Sequence, residues 1–133
     1  VEGVKQTGRA RTVNREKLQV ETLISELNNP ESFRARVFFP YLDLIKIRKK
    51  QSTSHPNAEF EILDTDPKVF GIKRFNQDQT IVALTNISSK PVSVSLPASI
   101  SSDQSTDLIS GEIVEPATFK LNPYQYVWLA EPA

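Results

Sequence analysis

Around residue 52 the chain changes both its charge and its period, and no single repeating architecture accommodates the two halves. Residues 1–50 hold 11 Lys and Arg against 6 Asp and Glu, a balance of +5. Residues 51–133 hold 5 against 10, a balance of −5, so the formal net charge of zero conceals a strongly divided chain. Apolar residues recur at helical spacing before the change and in short alternating runs after it. Those periods, 3.6 and 2, belong to different secondary structures. Helices followed by a run of strands predict an α+β arrangement, and the abruptness of the change suggests a piece of something larger.

A chain of 133 residues suffices for one domain, or a small domain with an appendage. There is no run of 18 apolar residues and no basic start followed by an apolar stretch, so neither a spanning helix nor a signal peptide is expected. The chain opens on Val1 and contains no Met, which fits a residue 1 lying inside a longer protein or a start that has been removed. Zero Cys excludes disulfides and thiolate chemistry and fits a cytoplasmic protein. Asn86-Ile87-Ser88 matches a glycosylation sequon, a pattern short enough to recur by chance.

Residues 1–15 lack apolar periodicity and carry Lys5, Arg9, Arg11 and Arg15, which predicts an irregular basic arm. Over residues 17–28, Val20, Leu23, Ile24 and Leu27 mark one face of a short amphipathic helix. Asn29-Pro30-Glu31 reads as a helix start, with Asn as cap and Pro at the first helical position. The helix that follows should run to about residue 50. Phe33, Val37, Tyr41, Leu44 and Ile45 form its stripe, and Arg48, Lys49 and Lys50 stand where the dipole favours cations. Pro40 removes a hydrogen bond there, so one bent helix is expected. Outside a larger assembly, the stripe should cover itself against the strands and against a second copy of the chain.

Beyond the turn-rich residues 52–57, strands are expected at residues 60–63, 69–75, 80–87, 91–96, 106–109, 118–121 and 124–129. Val92, Val94 and Leu96 alternate with Ser93 and Ser95, as on a half-exposed strand, while residues 81–84 are apolar on both faces and suit a central one. Residues 76–79 and 110–112 read as hairpin turns. Seven short strands at this spacing favour an antiparallel sandwich.

Few residues suggest chemistry. His55, the only histidine, has neither Cys nor second His to complete a zinc site, and its polar loop gives it a structural role. Asp64 and Asp66 resemble a carboxylate pair, but they flank a turn beside Pro67, where Asp commonly serves the backbone. Trp128, with Tyr124 and Tyr126 at period two, is either a platform for stacking sugars or one packed sheet face. The basic arm lacks the interleaved aromatics and the module of a nucleic-acid binder, although one or two arginines could hold a phosphate-sized anion. Four glycines leave no phosphate loop, and no Ser/His/Asp set forms. No cofactor is called for.

Several short motifs taken in order resemble one family. Gly8-Arg9-Ala10-Arg11-Thr12-Val13-Asn14-Arg15, a helix ending Ile47-Arg48-Lys49, and His55-Pro56-Asn57-Ala58 come first. Val69-Phe70-Gly71-Ile72, Thr80-Ile81-Val82-Ala83-Leu84-Thr85-Asn86, Asp107-Leu108-Ile109-Ser110-Gly111 and Leu121-Asn122-Pro123-Tyr124 follow. The series is similar to the end of sucrose phosphorylase-like enzymes of glycoside hydrolase family 13, the alpha-amylase family.

That resemblance implies an α+β fold in which N-terminal helices, the remnant of the end of a (β/α)₈ barrel, pack on an antiparallel sandwich of the alpha-amylase C-terminal (domain C) type. Residues 1–52 would be the arm and last helices of the barrel, and residues 53–133 domain C. The family's Asp nucleophile, Glu acid/base and third Asp would all lie upstream of Val1, so the fragment has no catalytic residue of its own. The implied parent is a retaining glucosyltransferase that acts on a glucoside such as sucrose, with phosphate as acceptor. Arg11, with Arg15 in the second Arg position, matches the stretch that reaches the phosphate or fructose subsite there. The implied partners are the upstream barrel of the same protein and, in the parent, sugar and phosphate; neither nucleic acid nor membrane is expected. The alternative reading is a carbohydrate-binding module using Trp128 and its neighbouring tyrosines.

Overall fold

The arm expected to be irregular begins with a helix, α1, Glu2–Thr7. It ends at Gly8, whose φ of +68° lets the chain turn while its N–H reaches the Val4 carbonyl at 2.6 Å. Six residues with no apolar repeat leave no pattern from which such a helix is foreseen. A 3₁₀ turn follows at Ala10–Thr12, and the side chain of Gln6 bonds the backbone of Lys17 on return, accepting from its N–H at 3.1 Å. The computed structural model describes residues 2–13, 15–96 and 104–131 and divides into two compact units, Val1–Asp43 and Leu44–Ala133. Asn14 of the arm motif lies outside the described residues.

In the first unit, α2 spans Val20–Asn28 and α3 begins at Phe33. The cap differs from the expected one. Asn29 Oδ1 accepts from the Glu31 N–H and closes a turn, while Ser32 Oγ accepts the Ala35 N–H at 3.0 Å and donates to the Glu26 carbonyl at 2.6 Å. Ser32 therefore both caps α3 and fastens it to the end of α2. Arg34 bonds Glu26 and lies 3.8 Å from Glu16.

Helix α3, Phe33–Lys49, continues through Pro40 as one element. The Pro ring leaves the Arg36 carbonyl without its helical donor, and exposure to solvent at that turn keeps the cost low. In the single chain Phe33 is 79 % exposed, and Val37 and Tyr41 are more than half exposed, so within its own unit the helix stripe is open. Ala35 is the buried residue of this helix.

The second unit is the expected antiparallel sandwich. Its large sheet has the order β1-β2-β3-β8-β5-β6, with β1 Glu59–Ile62, β2 Val69–Phe75, β3 Thr80–Asn86, β5 Ser105–Asp107, β6 Ile113–Val114 and β8 Tyr126–Ala130. Its small sheet pairs β4 Val92–Val94 with β7 Phe119–Leu121. The two expected hairpins are present, β2–β3 through residues 76–79 and β5–β6 around Gly111. Strand β6, two residues long, has no expected counterpart. Tyr124, at φ 57°, precedes β8 and is not part of it.

Between the sheets Leu63, Val69, Val82, Leu84, Val127 and Leu129 meet Val92, Val94, Leu96 and Leu121. Leu84 and Leu121 are wholly buried. At Gly71, opposite Leu84, a Cβ would stand 3.1 Å from Leu84 Cδ2 and from Thr65 Cγ2, so the core has closed over the missing side chain. Asn86 is also wholly buried. Its Nδ2 donates to the carbonyls of Lys90 and Asn122, and its Oδ1 accepts from the Ser88 N–H and hydroxyl, so in the folded domain the sequon is a structural turn. Leu84→Ala should cost about 3 kcal/mol through lost transfer and cavity terms, read as a lower urea midpoint with an unchanged m-value.

Candidate functional site

Several places among the described residues hold groups that could act on a ligand, and the backbone accounts for some of them. Asp66 Oδ1 accepts the Lys68 N–H at 2.8 Å and the Asp66 carbonyl accepts the Val69 N–H at 2.7 Å, which makes the Asp64/Asp66 segment a turn. Asp107, buried, accepts from the N–H groups of Ile109, Ser110 and Trp128 and from the Ser110 hydroxyl. Its carboxylate ties the β5–β6 hairpin to β8 and has no open lone pair to offer a substrate. Among the described residues no three His, Asp or Glu side chains come together as a metal site, and no helix is long and apolar enough to cross a membrane.

His55 is a loop brace. Its Nδ1 accepts the Asn57 N–H at 3.2 Å, and its carbonyl accepts from Arg74 Nη2 at 3.0 Å. Arg74 Nε also donates to the Thr53 carbonyl at 2.7 Å. Beside it Gln79 Oε1 accepts from the Thr53 N–H and hydroxyl, and Gln79 Nε2 donates to Gln51 Oε1. Asn76 Nδ2 adds a bond to Ser52 Oγ. The loop after α3 is thereby locked onto the β2–β3 hairpin. Sequence reading recognises residues 52–57 and 76–79 as turns; nothing in either indicates that they bond each other.

Trp128 is half-buried on the outer face of the large sheet, the face away from the core. It lines a cleft of about 150 Å³ with Arg48, Gln51, Arg74, Ile81 and Ala83. Tyr126 shares this face, but Tyr124 lies outside the strand, so the three aromatics do not form one stripe.

Arg11 sits in the 3₁₀ turn and Arg15 in the extended stretch beyond it, both exposed and neither hydrogen-bonded through its guanidinium among the described residues. Five N–H donors on each suit a phosphate or carboxylate. In the same unit an open apolar groove of about 620 Å³ runs between α2 and α3, lined by Leu23, Leu27, Phe33, Val37 and Tyr41.

Residues 60–128 match the family described as Maltogenic Amylase, C-terminal domain. The glucosylglycerate phosphorylase of Spirochaeta thermophila is 34% identical over 142 residues, which cover 96% of this chain and 24% of that protein. The oligo-1,6-glucosidase of Halalkalibacterium halodurans is 26% identical over 114 residues, 81% of this chain and 20% of that one. The chain thus spans about a quarter or less of the curated relatives it matches. In fold it is similar to the trehalulose synthase MutB of Pseudomonas mesoacidophila, with a TM-score of 0.60 at 20% identity over 80% of this chain and 19% of that one. The lopsided antiparallel sandwich and the family match over its strands make this chain a member of the maltogenic amylase C-terminal domain family, a C-terminal β-sandwich of alpha-amylase family enzymes with phosphorylases and glucosidases among its relatives.

Proposed function

We propose that the chain is the C-terminal structural part of a retaining glucoside phosphorylase, with residues 1–52 closing a catalytic barrel and residues 53–133 forming its domain C. The observation that carries this reading is the reach of the likeness to the glucosylglycerate phosphorylase. It covers nearly the whole chain, arm and helices included, where the family match begins only at residue 60. The reaction would cleave a glucoside such as sucrose or glucosylglycerate and deliver the glucosyl group to phosphate, with the catalytic carboxylates on the barrel. The isolated chain, in which Asp66, Asp107 and His55 serve its own turns, would be silent.

The arm is then the one stretch that reaches the chemistry. Arg11 and Arg15 present exposed guanidinium groups with no hydrogen bond among the described residues, and each can meet two phosphate oxygens in a planar fork. In the full-length enzyme Arg11→Ala should raise KM for phosphate about tenfold, equivalent to one lost charge-assisted contact, while hydrolysis of the same glucoside in phosphate-free buffer holds its rate. Release of free glucose at a rate independent of phosphate by the unaltered enzyme would make it a glucosidase and remove this role.

A carbohydrate-binding module using Trp128 is the weaker reading. Its indole lines a narrow cleft beneath the loop after α3, and of the two tyrosines Tyr126 alone shares its face. Titration of the chain with maltooligosaccharides should leave Trp fluorescence without a saturable shift. A saturable shift abolished in a folded Trp128→Ala variant would revive the module.

A further inference from the structure

The last turn of α3 and the loop that follows it border an open cleft of about 420 Å³, with Ile45, Arg48 and Lys49 from the helix and Ser54, His55 and Pro56 from the loop. All of these belong to the second unit. The volume falls in the range of roughly 300–1,000 Å³ usual for small-molecule sites. Residues 51–133 carry a balance of −5, yet no carboxylate lines this cleft, and Arg48 and Lys49 make it basic.

Cations in the last turn of a helix ordinarily serve its own terminal carbonyls. Here other donors already do so. The Ile47 carbonyl accepts from the Lys50 N–H at 3.0 Å and from Gln51 Nε2 at 3.1 Å, and the Arg48 carbonyl accepts the Gln51 N–H at 3.1 Å. Neither Arg48 nor Lys49 forms an ion pair among the described residues. Gln51 and Ser52, which also line the cleft, are bound into the network with Gln79 and Asn76. The Ser54 hydroxyl, by contrast, makes no hydrogen bond among the described residues. His55 adds one more donor. Because its Nδ1 accepts the Asn57 N–H, the neutral ring carries its proton on Nε2, which has no acceptor among the described residues. The Arg74 bonds to the Thr53 and His55 carbonyls hold the loop wall in place, so little ordering entropy is lost when a ligand arrives.

We propose that this cleft binds a phosphate monoester, with the phosphate against Arg48, Lys49 and the Ser54–His55 wall and the organic group against Ile45 and Pro56. A monoester carries a charge near −2 and three terminal oxygens, which matches two fixed cations and leaves acceptors for the hydroxyl and the imidazole N–H. A carboxylate would answer one cation of the two. Inorganic phosphate would leave the apolar wall unused. The site shares no residue with the arm and does not depend on which glucoside the parent cleaves.

The test is an amide NMR titration of the chain with glucose 1-phosphate, adenosine 5′-monophosphate, inorganic phosphate and glucose, each at constant ionic strength. Signals from residues 48–55 should shift saturably with at least one ester, about tenfold more tightly than with inorganic phosphate, and should not move with glucose. The tighter ester identifies the organic group. Arg48→Gln/Lys49→Gln, with an otherwise unchanged amide spectrum, should weaken that binding about tenfold or more, as the loss of a charge-assisted contact requires. Ser54→Ala, which leaves the charge intact, should weaken it several-fold and decides the matter if the double variant does not fold. The proposal is overturned by the absence of a saturable shift with either ester, by shifts confined to residues 9–17, by equal affinity for inorganic phosphate, or by undiminished binding in the folded variants.

Discussion

Among the described residues six strands lie in one sheet and two in the other, and that imbalance decides what the sandwich can bury. The small sheet, β4 with β7, is wide enough to cover β3, β8 and the near end of β2, where Leu84, Val82, Leu129 and Val127 meet Val92, Val94 and Leu121. It does not reach β1, so the inner side of that edge strand carries Glu59 and Glu61 in contact with water. Central strand β3 is apolar on both faces because both are covered. One side has the small sheet, and the other, at Ile81, has the loop after α3.

With so small a core, polar side chains take over the work of fixing the turns. Asn86, Asp107, Asn76 and Asp66 each accept backbone N–H groups within three residues, and each stands at the end of a strand or in the turn that follows. An individual bond of this type contributes roughly 1 kcal/mol, but a buried carboxylate or amide left unsatisfied costs more. That asymmetry makes Asp107 and Asn86 fasteners whose every oxygen is occupied. The lone pairs of Asp66 Oδ1 and of the Asp107 carboxylate are thereby taken up by the fold.

The strands were legible wherever alternation and apolar content agreed. Strand β2 spans the residues its pattern indicates, 69–75, and β3 ends one residue short of it. Strand β6 has only Ile113 and Val114 between a turn and Pro116, too few residues for a period to register. The start of α3 was misplaced because Asn29, Pro30 and Ser32 are all start signals within four residues. Only the side-chain bonds show that Ser32 caps the helix while Asn29 shapes the turn. Period two announces that the faces of β1 differ, but not which one points inward; that is set by its register with Ile72 and Arg74, a long-range pairing. Arg11 and Arg15 were visible through a family resemblance alone, since isolated cations on an arm carry no pattern of their own.

The charge divide at residue 52 takes its meaning from these exposures. The basic segment leaves Phe33, Val37 and Tyr41 in water, and the sandwich leaves Phe60 and Ile62 in water. Burying one such side chain is worth roughly 1.5–3 kcal/mol, so five together represent a stabilisation comparable to that of a whole domain. Their presence in both halves, on a helix and on a sheet, gives each half an apolar face of its own that is open to solvent.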